Sequence, residues 1–362
     1  MKYIDEYRDP KVASCLIEAI KARARQIDRS VTIMEVCGSH TYAIGHNGIR
    51  GMLPDSIRLI SGPGCPVCVT SGRDVDTALF LAARKNVIYT TFGDMLRVPG
   101  SRGNSLQKIR ADGADVRVIS SPLDSIEIAR RNPGKDVIFM GIGFETTSPT
   151  IASMVKTCSA VGMRNLSVFS VHKLIPPAIK ILLDDPELAI DGFLCPGHVS
   201  TVIGYDGYTE IPARDRAAVI TGFEPVDILE GIFMILSQIE KGEYSVQNQY
   251  SRGVKPEGNI RAQALLKEVF MPVPAEWRGI GVIKGSGLVL RGTFSTFNAL
   301  ARFDVPILDS EEMKGCMCGS ILRGVATPHE CPLFKRVCSP GNPIGPCMVS
   351  REGTCSTYYK CH

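Results

Sequence analysis

Two groups of cysteines in this 362-residue chain have spacings that suit metal and redox chemistry. Seven of the 13 cysteines lie in the last 47 residues, spaced C-x-C-x12-C-x6-C-x8-C-x7-C-x5-C among glycines and prolines. A smaller group lies upstream: Cys37 in MEVCGSHT, and Cys65 with Cys68 in GPGCPVCVT. Thiolates bind soft metal ions and exchange disulfides. The chain is therefore predicted to carry a metal-cluster region at its end and a separate set of reactive thiols near its start.

The cysteine-rich tail is predicted to be held together by a metal centre. A Gly-, Pro- and Cys-rich segment of this length buries little apolar surface, so a metal would replace a hydrophobic core. The paired C-x2-4-C motifs of most structural zinc sites are absent from the tail sequence. Cysteines flanked by proline are instead typical of iron–sulfur ligation. A 4Fe–4S cluster is preferred on these grounds, with structural zinc and free thiols as the alternatives.

Seven thiols exceed the four that such a cluster needs, so the tail cysteines are expected to divide into classes. Our interpretation makes Cys318 and Cys347 a redox pair that exchanges electrons with the cluster. Cys361 is expected to be neither a cluster ligand nor a member of the redox pair. The predicted ligands are Cys316, Cys331, Cys338 and Cys355. Spacing alone does not separate these roles.

The upstream thiols are predicted to lie at a sheet edge. Cys37 follows the β-rich segment 31–37, and open α/β sheets place their sites at the carboxyl ends of strands. His40 or an adjoining helix N-terminus would favour the Cys37 thiolate, although a buried structural cysteine beside a hydrogen-bonded histidine is the alternative. Cys65 and Cys68 lie in a rigid Gly/Pro turn, where C-x-x-C suits a reversible disulfide or two ligands on one metal.

Three further polar residues are candidates for the same site. Thr41 belongs to the Cys37 motif, and Asp94 follows another predicted strand end, so it is expected to face the same cleft. Residues 141–147 (GIGFETT) resemble a phosphate-binding turn but lack the full glycine fingerprint, and no P-loop lysine follows. Nucleotide binding is therefore the weaker interpretation. Glu145 is instead predicted to be a polar or acid–base group on a loop that lines the site.

Strand and helix patterns alternate along most of the chain, which predicts an α/β fold with mainly parallel sheets. The predicted strands are 31–37, 56–61, 86–92, 115–121, 136–143, 165–172, 188–197 and 217–222. The pattern restarts near residue 126 and disappears near 305. We therefore divide the chain into 1–125, 126–304 and a Cys-rich region 305–362. Cys15 and Cys158 fall on apolar helix faces and are expected in the core.

The composition excludes several functional classes. Apolar residues make up 44% and charged residues 22%, which is ordinary for a globular protein. The net charge of +4 has no basic block and there is a single Trp, so no nucleic-acid partner is predicted. No signal-peptide pattern or membrane-spanning apolar run is present. The chain is expected to be cytoplasmic, where thiols stay reduced.

Taken together, these motifs resemble the HypD family, whose members take part in NiFe-hydrogenase maturation. The matching segments run from residue 34 to 355 in the family's order, so the resemblance covers nearly the whole chain. They are MEVCGSHT, GPGCPVCVT, TFGDMLRVPG, GFETTSPT, DGFLCPGHVSTVIG and the tail CMCGSILRG…ECPLFKRVC…GPCMVSREGTC. Several motifs in register are more specific than any single spacing.

The resemblance implies two Rossmann-like α/β domains, a cluster-bearing C-terminal region and a role in building an iron centre with two cyanides and one carbon monoxide. It implies pairing with the small chaperone HypC and receipt of cyanide from HypE with HypF. Cys37 would hold the iron jointly with a partner cysteine, and Cys65 and Cys68 would form a nearby thiol pair. Cys318 and Cys347 would form a disulfide similar to that of ferredoxin–thioredoxin reductase.

The function expected from residues and resemblance together is that of a redox-active metallocofactor assembly protein rather than a metabolic enzyme. Electrons for ligand assembly would come from the 4Fe–4S cluster through the thiol pairs. The alternative is a stand-alone iron–sulfur thiol–disulfide oxidoreductase. A third interpretation is a nonenzymatic binding module whose tail holds structural zinc.

Overall fold

The computed structural model describes residues 4–185, 187–306, 308–311 and 313–361, and these residues form an α/β fold. The central strands of its parallel sheets are short and buried on both faces, as expected of parallel sheets covered by helices. The strands are β1 Val31–Glu35, β2 Ile57–Ser61, β3 Val87–Thr91, β4 Asp115–Val118, β5 Asp136–Gly141, β6 Leu166–Ser170, β7 Gly192–Pro196, β8 Ala217–Thr221, β9 Val246–Asn248, β10 Phe270–Trp277 and β11 Gly281–Leu290.

Helices connect these strands and cover the sheets. They are α1 Pro10–Ala24, α2 Gly38–His46, α3 Pro66–Val69, α4 Gly72–Ala82, α5 Leu106–Ala111, α6 Asp124–Arg131, α7 Ser148–Ala160, α8 Ile175–Leu183, α9 Gly197–Ile203, α10 Pro225–Lys241, α11 Ile260–Val269, α12 Ala299–Arg302, α13 Cys318–Leu322 and α14 Thr354–Cys361. The longest, α10, begins with a capping box between Glu224 and Asp227 and ends at Gly242, whose φ of 66° suits glycine. These signals fix the bounds of a helix that packs against α1.

The larger sheet has five parallel strands in the order β2-β1-β7-β8-β9. The register pairs Glu35 of β1 with Ser61 of β2 on one side and with Leu194 of β7 on the other. The carboxyl ends of β1, β2, β7 and β8 therefore meet along one edge. Open α/β sheets place their sites at this kind of edge.

The smaller sheet has four parallel strands in the order β4-β3-β5-β6. Two parallel sheets confirm the predicted α/β class, and all eight predicted strands are present. The two sheets do not take their strands in chain order, however. The larger sheet uses strands from 31–61 and 192–248, and the smaller one uses strands from 87–170. The division into folding units at residues 125 and 304 remains a prediction. The strand order does not follow it, because the larger sheet combines strands from before and after residue 125.

An antiparallel hairpin of β10 and β11 was not predicted. Its first strand contains Pro272 and Pro274, which lower strand propensity, and its pairing shifts between Val273 and Ala275. The hairpin reaches both the smaller sheet and the turn after α3, since isolated bridges join Lys173 to Gly287 and Thr70 to Trp277.

The tail packs directly on the α/β framework. Buried apolar side chains of the tail, among them Ile321, Phe334 and Met348, belong to the same core cluster as Met34 of the larger sheet and Ile138 of the smaller one. The tail thus buries more apolar surface than its composition suggested. Cys158 is buried as predicted, but the prediction for Cys15 is wrong because its face of α1 is exposed. Within the described residues, no helix is long and apolar enough to cross a membrane.

Candidate functional site

The carboxyl edge of the larger sheet brings the two upstream cysteine motifs together. The chain leaves β1 at Cys37 and leaves β2 through Gly62-Pro63-Gly64 into Cys65. The N–H of Gly38 donates to the Gly64 carbonyl at 2.8 Å, and the N–H of Gly62 donates to the Glu35 carbonyl at 2.7 Å. A Cβ on Gly64 would collide with the backbone of Cys37. Only glycine therefore permits this approach of the two loops.

Cys37 precedes the first turn of α2 and is buried. The backbone N–H groups of Ser39 and His40 donate to its sulfur and lower its pKa. Burial opposes them more strongly and, with the charge of Glu352, raises the pKa of the Cys37 thiol to about 12. The thiol is therefore protonated at neutral pH. It loses this proton when it binds a metal ion, which replaces the proton on sulfur.

A buried carboxyl group lies beside the thiol. Glu35, at the end of β1, has a fully buried side chain. It accepts a 2.6 Å hydrogen bond from the Thr41 hydroxyl and a longer one, 3.4 Å, from the Cys37 N–H. Burial raises the pKa of Glu35 to about 7, against the opposing hydrogen bonds from Ser61 and Thr41. Thr41 therefore orients a carboxyl group at the sheet edge.

The tail supplies a second carboxyl group. Glu352 accepts a 2.7 Å hydrogen bond from the Ser39 hydroxyl, and burial raises its pKa above the usual value. In the same loop, the Ser350 hydroxyl donates to Asp94 at 2.8 Å. Asp94 follows β3 of the smaller sheet, and through this bond it anchors the tail loop that carries Glu352. The tail loop and α2 thus meet next to Cys37.

The imidazole of His40 does not face Cys37. Its Nε2 lies 3.1 Å from the Thr221 carbonyl and 2.9 Å from the Gly222 carbonyl, at the end of β8. Burial lowers the pKa of His40 to about 4, so the ring is neutral. The predicted support of the thiolate by this imidazole is therefore wrong, because the ring spans from α2 to β8. His40 lowers the pKa of the Cys37 thiol through its backbone N–H.

Cys65 and Cys68 form a disulfide. Cys65 is the N-cap of the short helix α3, and its sulfur accepts from the Cys68 N–H at 3.2 Å. The sulfur of Cys68 lies 4.0 Å from the carbonyl oxygen of Pro346, the residue before Cys347. The C-x-x-C turn therefore lies between the Cys37 loop and the tail cysteines.

Six of the tail cysteines line one small cavity. The other lining side chains are apolar (Ile321, Leu333, Phe334 and Met348), together with the backbone of Gly345. The cysteines are Cys316, Cys318, Cys331, Cys338, Cys347 and Cys355. All four predicted ligands and both members of the predicted redox pair are brought together, whereas Cys361 lies outside the lining on α14.

The thiols of Cys318 and Cys347 are in contact, with their sulfurs 2.8 Å apart and both side chains buried. Hydrogen bonds from Cys316 and Cys347 hold the pKa of Cys318 well below its usual value, and the charge of Arg278 acts in the same direction. The pKa of Cys347 is raised by its hydrogen bonds to Cys318 and Cys355. This pair therefore contains one thiol that ionises readily and one that does not.

No three His, Cys, Asp or Glu side chains in the described ranges are grouped closely enough to bind a single metal ion. Glu145 follows β5 of the smaller sheet, whereas Cys37 follows β1 of the larger one. Its carboxyl group accepts from the Ile175 N–H at 3.0 Å, at the start of α8 on the side of the smaller sheet. It lines a different cavity.

Two site residues were missed by sequence reasoning. Glu35 had a recognisable signal, since a carboxylate within an otherwise apolar strand must be paired when it is buried. Glu352 had none, because its position beside Cys37 depends on a contact between residues more than 300 positions apart.

The chain is similar to known proteins along nearly its whole length. The model of the HypD family, described as "Hydrogenase formation hypA family", matches residues 11–362. Hydrogenase maturation factor HypD2 of Bradyrhizobium diazoefficiens is 44% identical over 368 aligned positions, covering 99% of this chain and 96% of the relative. Hydrogenase maturation factor HypD of Azotobacter vinelandii is 45% identical, with the same coverage. A putative hydrogenase expression/formation protein of Methanocaldococcus jannaschii is 43% identical over 95% of both chains.

Proposed function

The chain belongs to the HypD family, and on that premise we propose that it acts in hydrogenase maturation as a scaffold. It holds an iron ion at Cys37 while cyanide and carbon monoxide ligands are added. The observation that carries this proposal is the position of the Cys37 thiol, at the carboxyl edge of the larger sheet between a C-x-x-C disulfide and a loop of the cysteine-rich tail. The iron is the substrate of this site.

Cys37 suits this role because a low-spin iron with cyanide and carbon monoxide prefers a soft thiolate ligand. The Ser39 and His40 N–H groups at the start of α2 stabilise negative charge on the sulfur. The raised pKa keeps the metal-free thiol protonated and unreactive. When iron binds, it replaces the proton on the Cys37 sulfur, so the raised pKa of the free thiol no longer keeps the sulfur neutral.

The tail cavity fits an iron–sulfur cluster by the chemistry of its donors, which are thiols within an apolar wall. Cys316, Cys331, Cys338 and Cys355 would hold the cluster, which supplies one-electron reducing equivalents when bound. Among the described residues, none of those lining the cavity is a carboxylate of the kind that hard metal ions prefer.

We propose that the two thiol pairs exchange electrons with each other. Cys318 and Cys347 lose two protons and two electrons on forming a disulfide. The Cys65–Cys68 disulfide gains the same two protons and two electrons on forming two thiols. The reaction proceeds through a mixed disulfide formed by attack of one thiolate. The lowered pKa of Cys318 favours it as the attacking thiolate, and the 4.0 Å approach of Cys68 to the residue before Cys347 supports the proximity of the pairs.

A cavity beside α2 is where we propose that partner proteins bind. This cavity of about 560 Å³ opens beside Ser39 and Glu352 and is also lined by Tyr42, His198 and Arg351. We propose that HypC enters here, so that one of its cysteines shares the iron with Cys37, and that HypE, charged by HypF, delivers cyanide to the same complex. The cavity leaves room for a partner segment to approach α2.

The scaffold proposal is tested by maturation in a host whose own homologous maturation factor is deleted. We expect wild-type chain and Cys15→Ala, an exposed control cysteine, to restore hydrogenase activity. We expect Cys37→Ala to accumulate as folded protein without restoring it. Hydrogenase maturation by Cys37→Ala at the wild-type rate would refute the role of this thiol.

A stand-alone thiol–disulfide oxidoreductase is the second candidate, favoured by the short Cys318–Cys347 contact near a disulfide. It predicts that the purified chain reduces a general protein disulfide such as that of insulin, and that Cys37→Ala retains this activity. The scaffold proposal predicts no such turnover without the partner proteins.

A further inference from the structure

A second large cavity lies on the side of the smaller sheet. It has a volume of about 510 Å³ and is enclosed by the start of α8, the end of α9, α11 and the β10–β11 hairpin. This volume falls within the range of small-molecule sites. We propose that the cavity binds a small amphipathic anion, with its apolar body against the wall, one hydrogen bond to Glu145 and its acidic group at the rim.

The wall of the cavity is mainly apolar. It brings together side chains from four different elements, which shape a slot for a flat or branched hydrocarbon body. These side chains are Leu174, Ile203, Leu266, Phe270 and Leu288. Leu174, Ile203 and Leu266 are only half-buried, so a ligand would remove further apolar surface from water.

Glu145 provides a polar group inside this slot. Only 4% of its surface is exposed, and one carboxyl oxygen accepts from the Ile175 N–H at 3.0 Å. The other oxygen, Oε2, has no hydrogen-bond partner within the part of the chain that the structure describes. A buried polar atom without a partner is costly. A polar group of a ligand in the cavity would satisfy it.

The charged side chains at the rim of the cavity favour a ligand of one sign of charge. Lys267 on α11 and Arg291 after β11 are exposed at the cavity, and the Arg291 Nε donates to the Lys267 carbonyl at 2.7 Å, which holds the guanidinium beside the lysine. Among the residues that the structure describes, Asp206 is the acidic one at the rim, and Glu145 lies deeper in the slot. Two cations against one anion favour a negatively charged group. This inference does not depend on the proposed role in maturation.

Two fluorescent probes of matched shape test the proposal on the full chain. Anilinonaphthalene sulfonate carries an apolar body and an anion, whereas N-phenylnaphthylamine carries the same kind of body without charge. We expect saturable binding of one sulfonate probe per chain. The double variant Lys267→Glu/Arg291→Glu should weaken its binding by about tenfold or more and leave the neutral probe unchanged. Leu266→Glu should weaken binding of both probes.

Matched controls locate the probe. Arg261→Glu reverses an exposed cation on the same helix, α11, that does not line the cavity, and Arg351→Glu reverses a cation at the cavity beside α2. Both should bind the sulfonate probe as the wild type does. Glu145→Gln keeps a side-chain acceptor for the Ile175 N–H but changes the group that faces the ligand, and we expect a changed affinity. The proposal is overturned if no one-site binding occurs, if the rim variants bind normally, or if only Arg351→Glu weakens binding.

Discussion

The two cysteine regions of this protein are supported in opposite ways. The Cys37 edge is positioned by backbone: two parallel strands end side by side, a helix begins at the thiol, and loop amides hold the two turns together. The described part of the tail contributes no strand to the sheets, and six of its cysteine side chains converge on one cavity. Under the proposed function, one thiol at this rigid edge suffices for a transient iron ion. The tail, which lacks such a backbone frame, would use several side chains to hold its cluster.

The largest difference is expected on removing one sulfur from the tail. Cys338→Ala should abolish cluster binding, so that iron and sulfide content fall and protease cleavage within residues 313–361 becomes faster by about tenfold or more, since metal binding and local folding are coupled. Analysis of anaerobically purified protein and limited proteolysis measure both effects.

Cys318→Ala is the matched control within the same cavity, because it removes a member of the proposed redox pair and not a proposed ligand. It should retain iron and sulfide. Equal iron content in Cys338→Ala and the wild type would break the comparison.

The unfolding free energy of the α/β framework should depend on pH because of one buried acid. Burial raises the pKa of Glu145 from 4.5 to about 7, so the folded state prefers the protonated carboxyl. The resulting stabilisation is present below pH 4.5 and is lost as the pH rises through about 7. Glu145→Gln avoids this loss, and its stability advantage over wild type should grow by up to about 3 kcal/mol between pH 5 and 8.

Denaturant unfolding at several pH values measures this difference. Glu243→Gln, which replaces an exposed carboxyl group, is the control and should give no such increase. A constant difference between Glu145→Gln and wild type across this pH range would contradict a buried acid at this position.

A single methyl group should disturb the backbone support of Cys37. In Gly64→Ala the added Cβ collides with the backbone of Cys37. We expect a loss of about 1–3 kcal/mol in unfolding free energy and loss of iron binding at Cys37. Gly51→Ala adds a methyl group in open space and should stay within about 1 kcal/mol of wild type. Normal iron binding by Gly64→Ala would mean that the two loops separate without consequence.

The smallest effect is expected where the two regions meet. Ser39→Ala removes the hydrogen bond to Glu352 and should cost about 1–2 kcal/mol, because the acceptor is a partly buried carboxyl group. Ser14→Ala removes an exposed hydroxyl that bonds to the Pro10 carbonyl and serves as the control. Amide hydrogen exchange in residues 350–353 should increase only in Ser39→Ala. Unchanged exchange would show that the tail loop docks without this bond.

The strands were predictable because parallel strands buried on both faces appear as short apolar runs between glycines and helices. Their order was not, because the pairing of β1 with β7 joins segments about 160 residues apart. The hairpin was missed because Pro272 and Pro274 interrupt the pattern of β10. The sequence indicated helix α2 only as a helix N-terminus adjoining Cys37, since the helix is short and contains two glycines.

The site was predictable at the level of which motifs would converge. Cys37 and the Cys65–Cys68 turn end neighbouring strands, which local patterns indicated, and the tail cysteines share one cavity. The direction of the His40 ring and the placement of Glu352 depend on contacts between distant segments. Glu145 and Asp94 shared the strand-end signal of Cys37 but follow strands of the smaller sheet.

The central claim is that Cys37 holds the iron while its diatomic ligands are added. Infrared spectroscopy of the anaerobically purified complex with HypC tests it most directly. The account predicts bands of iron-bound cyanide and carbon monoxide in the wild type and in Cys15→Ala, and their loss in Cys37→Ala while the tail cluster is retained. Absence of these bands from the wild-type complex, or their persistence in Cys37→Ala, would contradict it.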